Sequence, residues 1–228
     1  RSLWTSLSKA NACGDQQEYS SLLDWGLRLT FLLAMPAAIA LMVLSVPITT
    51  TLFHYGRFDA LSVDMTAQAL VAYGVGLMGL ILVKILAPGF YAKQDISTPV
   101  KIGVGVLITT QLMNLIFVPW IAHAGLALSI GLGATLNAFF LFVMLRKNKI
   151  YQPEPGWTLF MIQVAGALFL LAGVGLWLGS QFDWIALHSS PWSRIGLLFI
   201  IMLICAVCYF AALVAMGLRP SHFKRESA

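Results

Sequence analysis

The sequence predicts an all-α, polytopic membrane helix bundle with six transmembrane helices. Apolar runs close to the roughly 20 residues that one bilayer crossing needs recur at about 27–53, 66–88, 100–121, 124–145, 157–180 and 195–217. Charged residues make up only 10% of the 228 residues against 59% hydrophobic ones, with a mean hydropathy of +0.85. That much apolar surface exceeds what one aqueous core buries. The runs are continuously apolar rather than alternating, which favours helices over a barrel, because in lipid each backbone polar group must be satisfied within its own segment.

Charge placement gives the expected orientation. Of the fourteen cationic residues, Arg1, Lys9, Arg28, Lys84, Lys93, Lys101, Arg146, Lys147, Lys149, Arg219, Lys224 and Arg225 fall at or near one face, and only Arg57 and Arg194 at the other. The positive-inside rule then makes both ends of this chain cytoplasmic and turns the loops 54–65, 121–124 and 181–194 outward. The net charge of +5 reads as topology. Basic residues scattered over separate loops form no patch for a nucleic acid. Trp120, Trp184 and Trp192 at outer ends, with Trp25 and Trp157 at inner ends, fit an interfacial aromatic belt.

In chain order, residues 1–26 read as an amphipathic cytoplasmic lead-in lying on the bilayer, with Leu3, Leu7, Leu22 and Leu23 among polar residues. The first span carries Pro36 and Pro47, each expected to bend it. Glycines at packing spacing in the second to fifth spans, among them Gly76, Gly79, Gly103, Gly105, Gly131, Gly133 and Gly175-x-x-x-Gly179, are expected to let helix backbones approach closely. Cysteine spacing gives no disulfide and no metal site: Cys205 and Cys208 sit inside the last span and Cys13 in the lead-in. The first residues lack a signal-peptide pattern, and a chain starting at Arg1 reads as the rear part of something longer. The units expected are the lead-in 1–26, a four-helix lobe part 27–145, a cytoplasmic linker 146–156, a helix pair 157–217 and a cytoplasmic tail 218–228.

Polar groups at membrane depth are the natural place to look for function, since a charge held there costs about 2.5–3.5 kcal/mol on insertion scales. All nine carboxylates, including Asp24, read as loop or helix-end residues. The only cation well inside a span is Lys84, either snorkelling to headgroups or facing an aqueous cavity as a substrate contact. Gln111 and Asn114 share one face of the third span; Thr135 and Asn137 lie on the fourth. Their neutral oxygens are either interhelical hydrogen-bond partners or an ion site. No metal-ligand cluster, P-loop or nucleophile motif points to an enzyme.

The hairpin from Lys84 to Lys101 is the most specific stretch. It reads as a helix stopped at Pro88-Gly89, Tyr91 beyond it, a polar turn at Gln94-Asp95, and Thr98-Pro99 opening the next helix as N-cap and first-turn proline. Together with Asp24-Trp-Gly-Leu-Arg28, Leu52-Phe-His-Tyr-Gly-Arg-Phe58 and Gln152-Pro-Glu-Pro-Gly-Trp157, it resembles the C-terminal half of the MurJ (MviN) family of lipid II flippases. That family serves peptidoglycan biosynthesis, and so cell-wall integrity and cell shape, within the multidrug/oligosaccharidyl-lipid/polysaccharide exporter superfamily.

The resemblance implies a fourteen-helix transporter of the bacterial inner membrane, of which these spans are helices nine to fourteen and the last two line a groove for a lipid tail. It implies an undecaprenyl-diphosphate-linked saccharide as cargo, membrane lipid as surroundings, and a missing N-terminal lobe as partner. No cofactor is implied beyond Na⁺ or H⁺ coupling. Asn114 and Thr135 correspond to family sodium ligands, but Val118 stands where an aspartate is expected, which weakens the sodium reading. The expected mechanism is alternating access without covalent chemistry. Another polyprenyl-linked sugar, a drug, or a non-transporting scaffold role are the alternatives.

Overall fold

The computed structural model describes residues 16–189 and 191–218, and among these the chain is helical, without strands. Helices α1 (Gln16–Val43) and α2 (Ser45–Phe53) make the first pass, followed by α3 (Ala60–Tyr91), α4 (Ser97–Lys147), α5 (Trp157–Ser180) and α6 (Pro191–Ala215). Five of them are long and apolar enough to cross a membrane. Straight, the 51 residues of α4 would run roughly 75 Å, far beyond a hydrocarbon core of about 30 Å. Instead α4 breaks at Ile121 and Ala122, where φ/ψ are −129/21 and 46/−128 degrees. The two limbs, 97–120 and 123–147, fold back on each other. A methyl group on Gly125 would lie 2.6 Å from the Phe117 carbonyl oxygen, and one on Gly133 would meet Thr110. The described residues therefore make six passes as a multi-pass helical bundle, and their two ends lie on the same side as the 92–96 and 148–156 connections.

Local sequence explains the breaks. Pro47 has no N–H to give and its ring crowds the carbonyl four residues back, and the helix is interrupted at Leu44 just before it. Pro36 stays inside continuous helix, so of the two prolines expected to bend the first span only one coincides with a break. The helix expected to stop at Pro88-Gly89 runs on to Tyr91. A proline costs the helix one hydrogen bond, and the amide of Ala92 still reaches the Pro88 carbonyl at 3.0 Å.

The end of α3 is instead set by Gln94, whose φ of 62° is left-handed. Its N–H donates to the Tyr91 carbonyl while that of Asp95 donates to Phe90, the paired pattern that satisfies the last carbonyls of a helix. Lys149 and Gly217, with φ of 56° and 91°, close α4 and α6 on the same side in the same way. Nor is Thr98 the N-cap of the next helix. The Asp95 carboxylate accepts from the Thr98 amide at 3.1 Å and from the Ser97 hydroxyl at 3.2 Å, and Pro99 sits in the first turn.

Two cores result. One joins Tyr19, Leu23 and Leu27 of α1, Leu86 and Phe90 of α3, Leu141 and Leu145 of α4, and Tyr151 of the linker. The other joins Phe160, Val164 and Leu171 of α5 with Leu198, Ile201, Cys205 and Tyr209 of α6, against Leu44 and the flank of α1. Of the lead-in, residues 1–15 lie outside the described residues. From Gln16 onward it is the opening of α1, and Leu22 and Leu23 turn into the protein core rather than toward a bilayer surface. The aromatic belt also needs one correction. Trp120 and Trp192 are over 80% exposed at helix ends, but Trp184 is buried and donates its indole N–H to the Gly179 carbonyl.

Candidate functional site

Charged groups inside the bundle gather at two places, one at each end. On the side of the 148–156 linker, Asp24 is 1% exposed. Its Oδ1 accepts from the Tyr151 hydroxyl at 2.6 Å, the Trp157 indole N–H at 2.7 Å and the Glu154 amide at 3.3 Å. Its Oδ2 takes the Arg28 Nε–H at 2.7 Å. Arg28 in turn donates to the carbonyls of Pro155 and Glu154 and lies 5.3 Å from the centre of the Trp157 ring.

A carboxylate taken from water pays a large desolvation cost, and here it is met by a guanidinium and three further donors. Burial, the bond to Asp24 and its negative charge together push the Tyr151 phenol well above its usual range. Ser20 adds two bonds with Gln152, and the Tyr19 hydroxyl donates to the Gly89 carbonyl. The opening of α1 thereby binds the linker, the start of α5 and the end of α3 at once.

The opposite end holds Arg194, the largest fully buried side chain among the described residues. It stands in the first turn of α6, with its guanidinium carbon 4.9 Å from the centre of the Tyr55 ring and Nη2 3.4 Å from the His54 carbonyl. Its Nε and Nη1 find no acceptor among the described residues, nor does the buried Thr49 hydroxyl. A cation held in this way is stabilised by a ring face and one long hydrogen bond. Both sites escape sequence reading, which counted Asp24 among helix-end carboxylates and Arg194 among loop cations. The available signal was the i, i+4 spacing of Asp24 and Arg28.

The sequence-predicted residues are spread out. Lys84 is exposed on α3. Gln111 and Asn114 meet, with the Asn114 amide donating to the Gln111 oxygen at 3.4 Å. The hairpin register of α4 aligns Asn114 with Ser129, which leaves Asn137 about two turns away along the limb. Thr135 bonds back to the Gly131 carbonyl and lies against Gly79 of α3. The Asn114 and Asn137 carbonyl oxygens are buried without a donor among the described residues. Of the hairpin motif, Pro88 and Gly89 are buried against α1 and α4, while Tyr91, Gln94, Asp95, Thr98 and Pro99 build the turn.

The stretches Asp24–Arg28, 152–157 and 54–55, which meet around these two charges, belong to the motifs on which the family resemblance was drawn, whereas Arg194 does not. A sequence profile described as "Lipid II flippase MurJ" matches residues 2–196. The chain belongs to the MurJ family. It is 56% identical over 225 residues to a Burkholderia cenocepacia protein named lipid II flippase MurJ, an alignment covering 99% of this chain and 44% of that protein. To proteins of Haemophilus influenzae and of Buchnera aphidicola subsp. Baizongia pistaciae, each named probable lipid II flippase MurJ, it is 34% identical over 211 residues. Those alignments cover 90% and 92% of this chain and 40% and 41% of the relatives. The chain thus spans less than half the length of these relatives, which are named as transporters rather than catalysts.

Proposed function

We propose that this chain is the C-terminal part of a lipid II flippase that moves an undecaprenyl-diphosphate-linked peptidoglycan precursor across the bacterial inner membrane by alternating access. The family match over residues 2–196 carries the proposal. In that reading α1 to α4, over 27–145, complete a transport lobe, and α5 and α6 are the pair beside which the lipid tail travels. The linker 146–156 and the tail 218–228 lie in the cytoplasm, as does the lead-in 1–26. An N-terminal lobe supplies the other wall of the cavity. Lys84, exposed on α3, is the cation this chain offers to the diphosphate, and the amides of Gln111, Asn114 and Asn137 with the Thr135 hydroxyl are the neutral oxygens available for a coupling ion. The excess of cations on the linker side supports the orientation.

Rocking of one lobe against the other requires no bond to be made or broken. The test is co-expression of this chain with a matching N-terminal half in cells depleted of their own flippase. Growth and outward exposure of lipid II should return only with both halves present. Failure to restore either, with both halves inserted in the membrane, overturns the proposal.

A further inference from the structure

The two ends of the bundle are closed by unlike contacts, and the end away from the linker is the weaker. There α2 buries Ser45, Pro47, Thr49, Thr50 and Thr51, whereas Val46, Leu52 and Phe53 are exposed. Ile48, its remaining large apolar side chain, packs in part against the second core. A helix that buries hydroxyls gains little from burial. Nor do those hydroxyls tie it to its neighbours. Thr50 and Thr51 donate to the carbonyls of Val46 and Pro47, and Tyr55 just beyond donates to that of Thr51. Thr49 finds no acceptor among the described residues.

The stem of α2 is broken as well. At Leu44 no side chain caps the helix, and Pro47 leaves the Val43 carbonyl without the amide that a continuous helix would bring to it. Beyond the other end the chain turns at Gly56, whose φ is 60°. The nine residues of α2 can therefore turn as one piece between these two points.

What reaches across from α6 to hold α2 is Arg194, with its long bond to the His54 carbonyl and its place over the Tyr55 ring. The guanidinium is fully buried, so water and the remainder of the protein reach its unfilled Nε and Nη1 only when something on this chain moves. A buried donor with nothing to bond favours any arrangement that returns it to water. Asp24 presents the opposite case. Both its oxygens are filled by Tyr151, Trp157, the Glu154 amide and Arg28, and the linker end has no such reason to open.

We infer that α2 is a lid over Arg194. It swings as a unit on the Leu44 break away from α6, carries Tyr55 off the guanidinium and opens the end away from the linker to water, while α1 stays tied at Asp24. The structure holds the closed form. Packing alone carries this, whatever the protein transports.

Pulsed electron paramagnetic resonance on the full-length protein carrying this chain, in lipid nanodiscs and with its native cysteines replaced by alanine, tests the lid along two diagonals. Spin labels at Leu52→Cys and Phe210→Cys run from the lid to the linker end of α6, and labels at Leu33→Cys and Trp192→Cys run from α1 to the opposite end of α6. All four positions are exposed. The first pair should give two distances and the second pair one. Arg194→Met removes the donors that favour opening and should lower the open population of the first pair about tenfold. Pro47→Ala restores the missing amide and should act in the same direction. Any other pattern on the two diagonals, or an open population that neither substitution reduces, overturns the inference.

Discussion

The lobe helices and the final pair are packed by opposite means. Where α3 crosses the second limb of α4, a methyl group on Gly76 would stand 1.9 Å from the Cα of Gly131, and one on Gly79 would stand 2.5 Å from the Thr135 backbone nitrogen. Backbone rests on backbone there. In the pair, side chains do the packing. Phe160, Val164, Ala167 and Leu171 on α5, and Leu198, Ile201, Cys205, Tyr209 and Leu213 on α6, form buried stripes at three- and four-residue spacing, the arrangement of an antiparallel coiled coil. In lipid no hydrophobic force drives helices together, so contact depends on how closely they approach and on polar ties. The lobe uses close approach. The pair uses side-chain fit, and the Asp24 and Arg194 clusters hold it to the lobe at either end.

Substituting the glycines on each side should separate the two modes most strongly. Gly76→Leu has no soft neighbour to push aside, since Gly131 offers only backbone, and should cost about 4 kcal/mol or more. Gly175→Ala would meet the tip of Val43 at 2.8 Å, a side chain that can turn away, and should cost under about 1 kcal/mol. Thermal unfolding midpoints in detergent decide it. Equal losses at both positions would mean that the α3–α4 crossing is no tighter than the contact of α5 with α1.

Breaking the tie on the linker side comes next. In Asp24→Asn the guanidinium of Arg28 loses its counter-charge, for which a fully buried pair would forfeit about 3–5 kcal/mol. The Arg28 side chain is 22% exposed, so about 2 kcal/mol is the expected loss. The linker should loosen with it, read as faster tryptic cleavage after Lys149. Unchanged cleavage would show that the Ser20–Gln152 bonds hold the linker without Asp24.

At the other end the sign reverses. Arg194→Met keeps much of the volume and removes a buried cation with two unsatisfied donors, a change that in other buried charges is neutral or stabilising by about 1–4 kcal/mol. The lost contact with the Tyr55 ring returns about 1–2 kcal/mol of that. A gain of zero to about 2 kcal/mol in unfolding free energy is expected. A loss of stability instead would mean that Nε and Nη1 find acceptors in the rest of the protein.

These two residues also mark where sequence reasoning stops. The six passes were legible because the bilayer imposes one demand on every segment, a long apolar run, and the Pro47 break has a local cause. The contacts of Asp24 and Arg194 depend on which partner each helix meets. Asp24 looks like an ordinary interfacial carboxylate until 151–157 folds over it, and Arg194 like a loop cation until α2 brings Tyr55 alongside. The glycines show the same limit. Gly76 and Gly131 meet, but among the described residues nothing within 4 Å faces a methyl on Gly103 or Gly105, though all four have the same spacing signal. Pro88 was misplaced for a smaller reason: a single missing N–H is not enough to end a helix that can close two turns later at Gln94.

The smallest effect concerns the turn that joins the lobe helices α3 and α4. Hydrogen bonds from Thr98, and then from Ser97, hold the exposed Asp95 carboxyl below the usual carboxylate range. A folded-state pKa lower than the unfolded value of about 3.9 means that the contribution to stability is complete above that value and drains away as pH falls through the folded one. The Thr98 amide should therefore lose protection from hydrogen exchange only in acid, after correction for the intrinsic rate, while amides at the Gly76–Gly131 crossing keep theirs. Asp95→Asn keeps an acceptor oxygen without a titrating proton and should remove the pH dependence. If protection at Thr98 instead falls in parallel with that of the crossing, the turn has no separate role and α3 and α4 open as one unit.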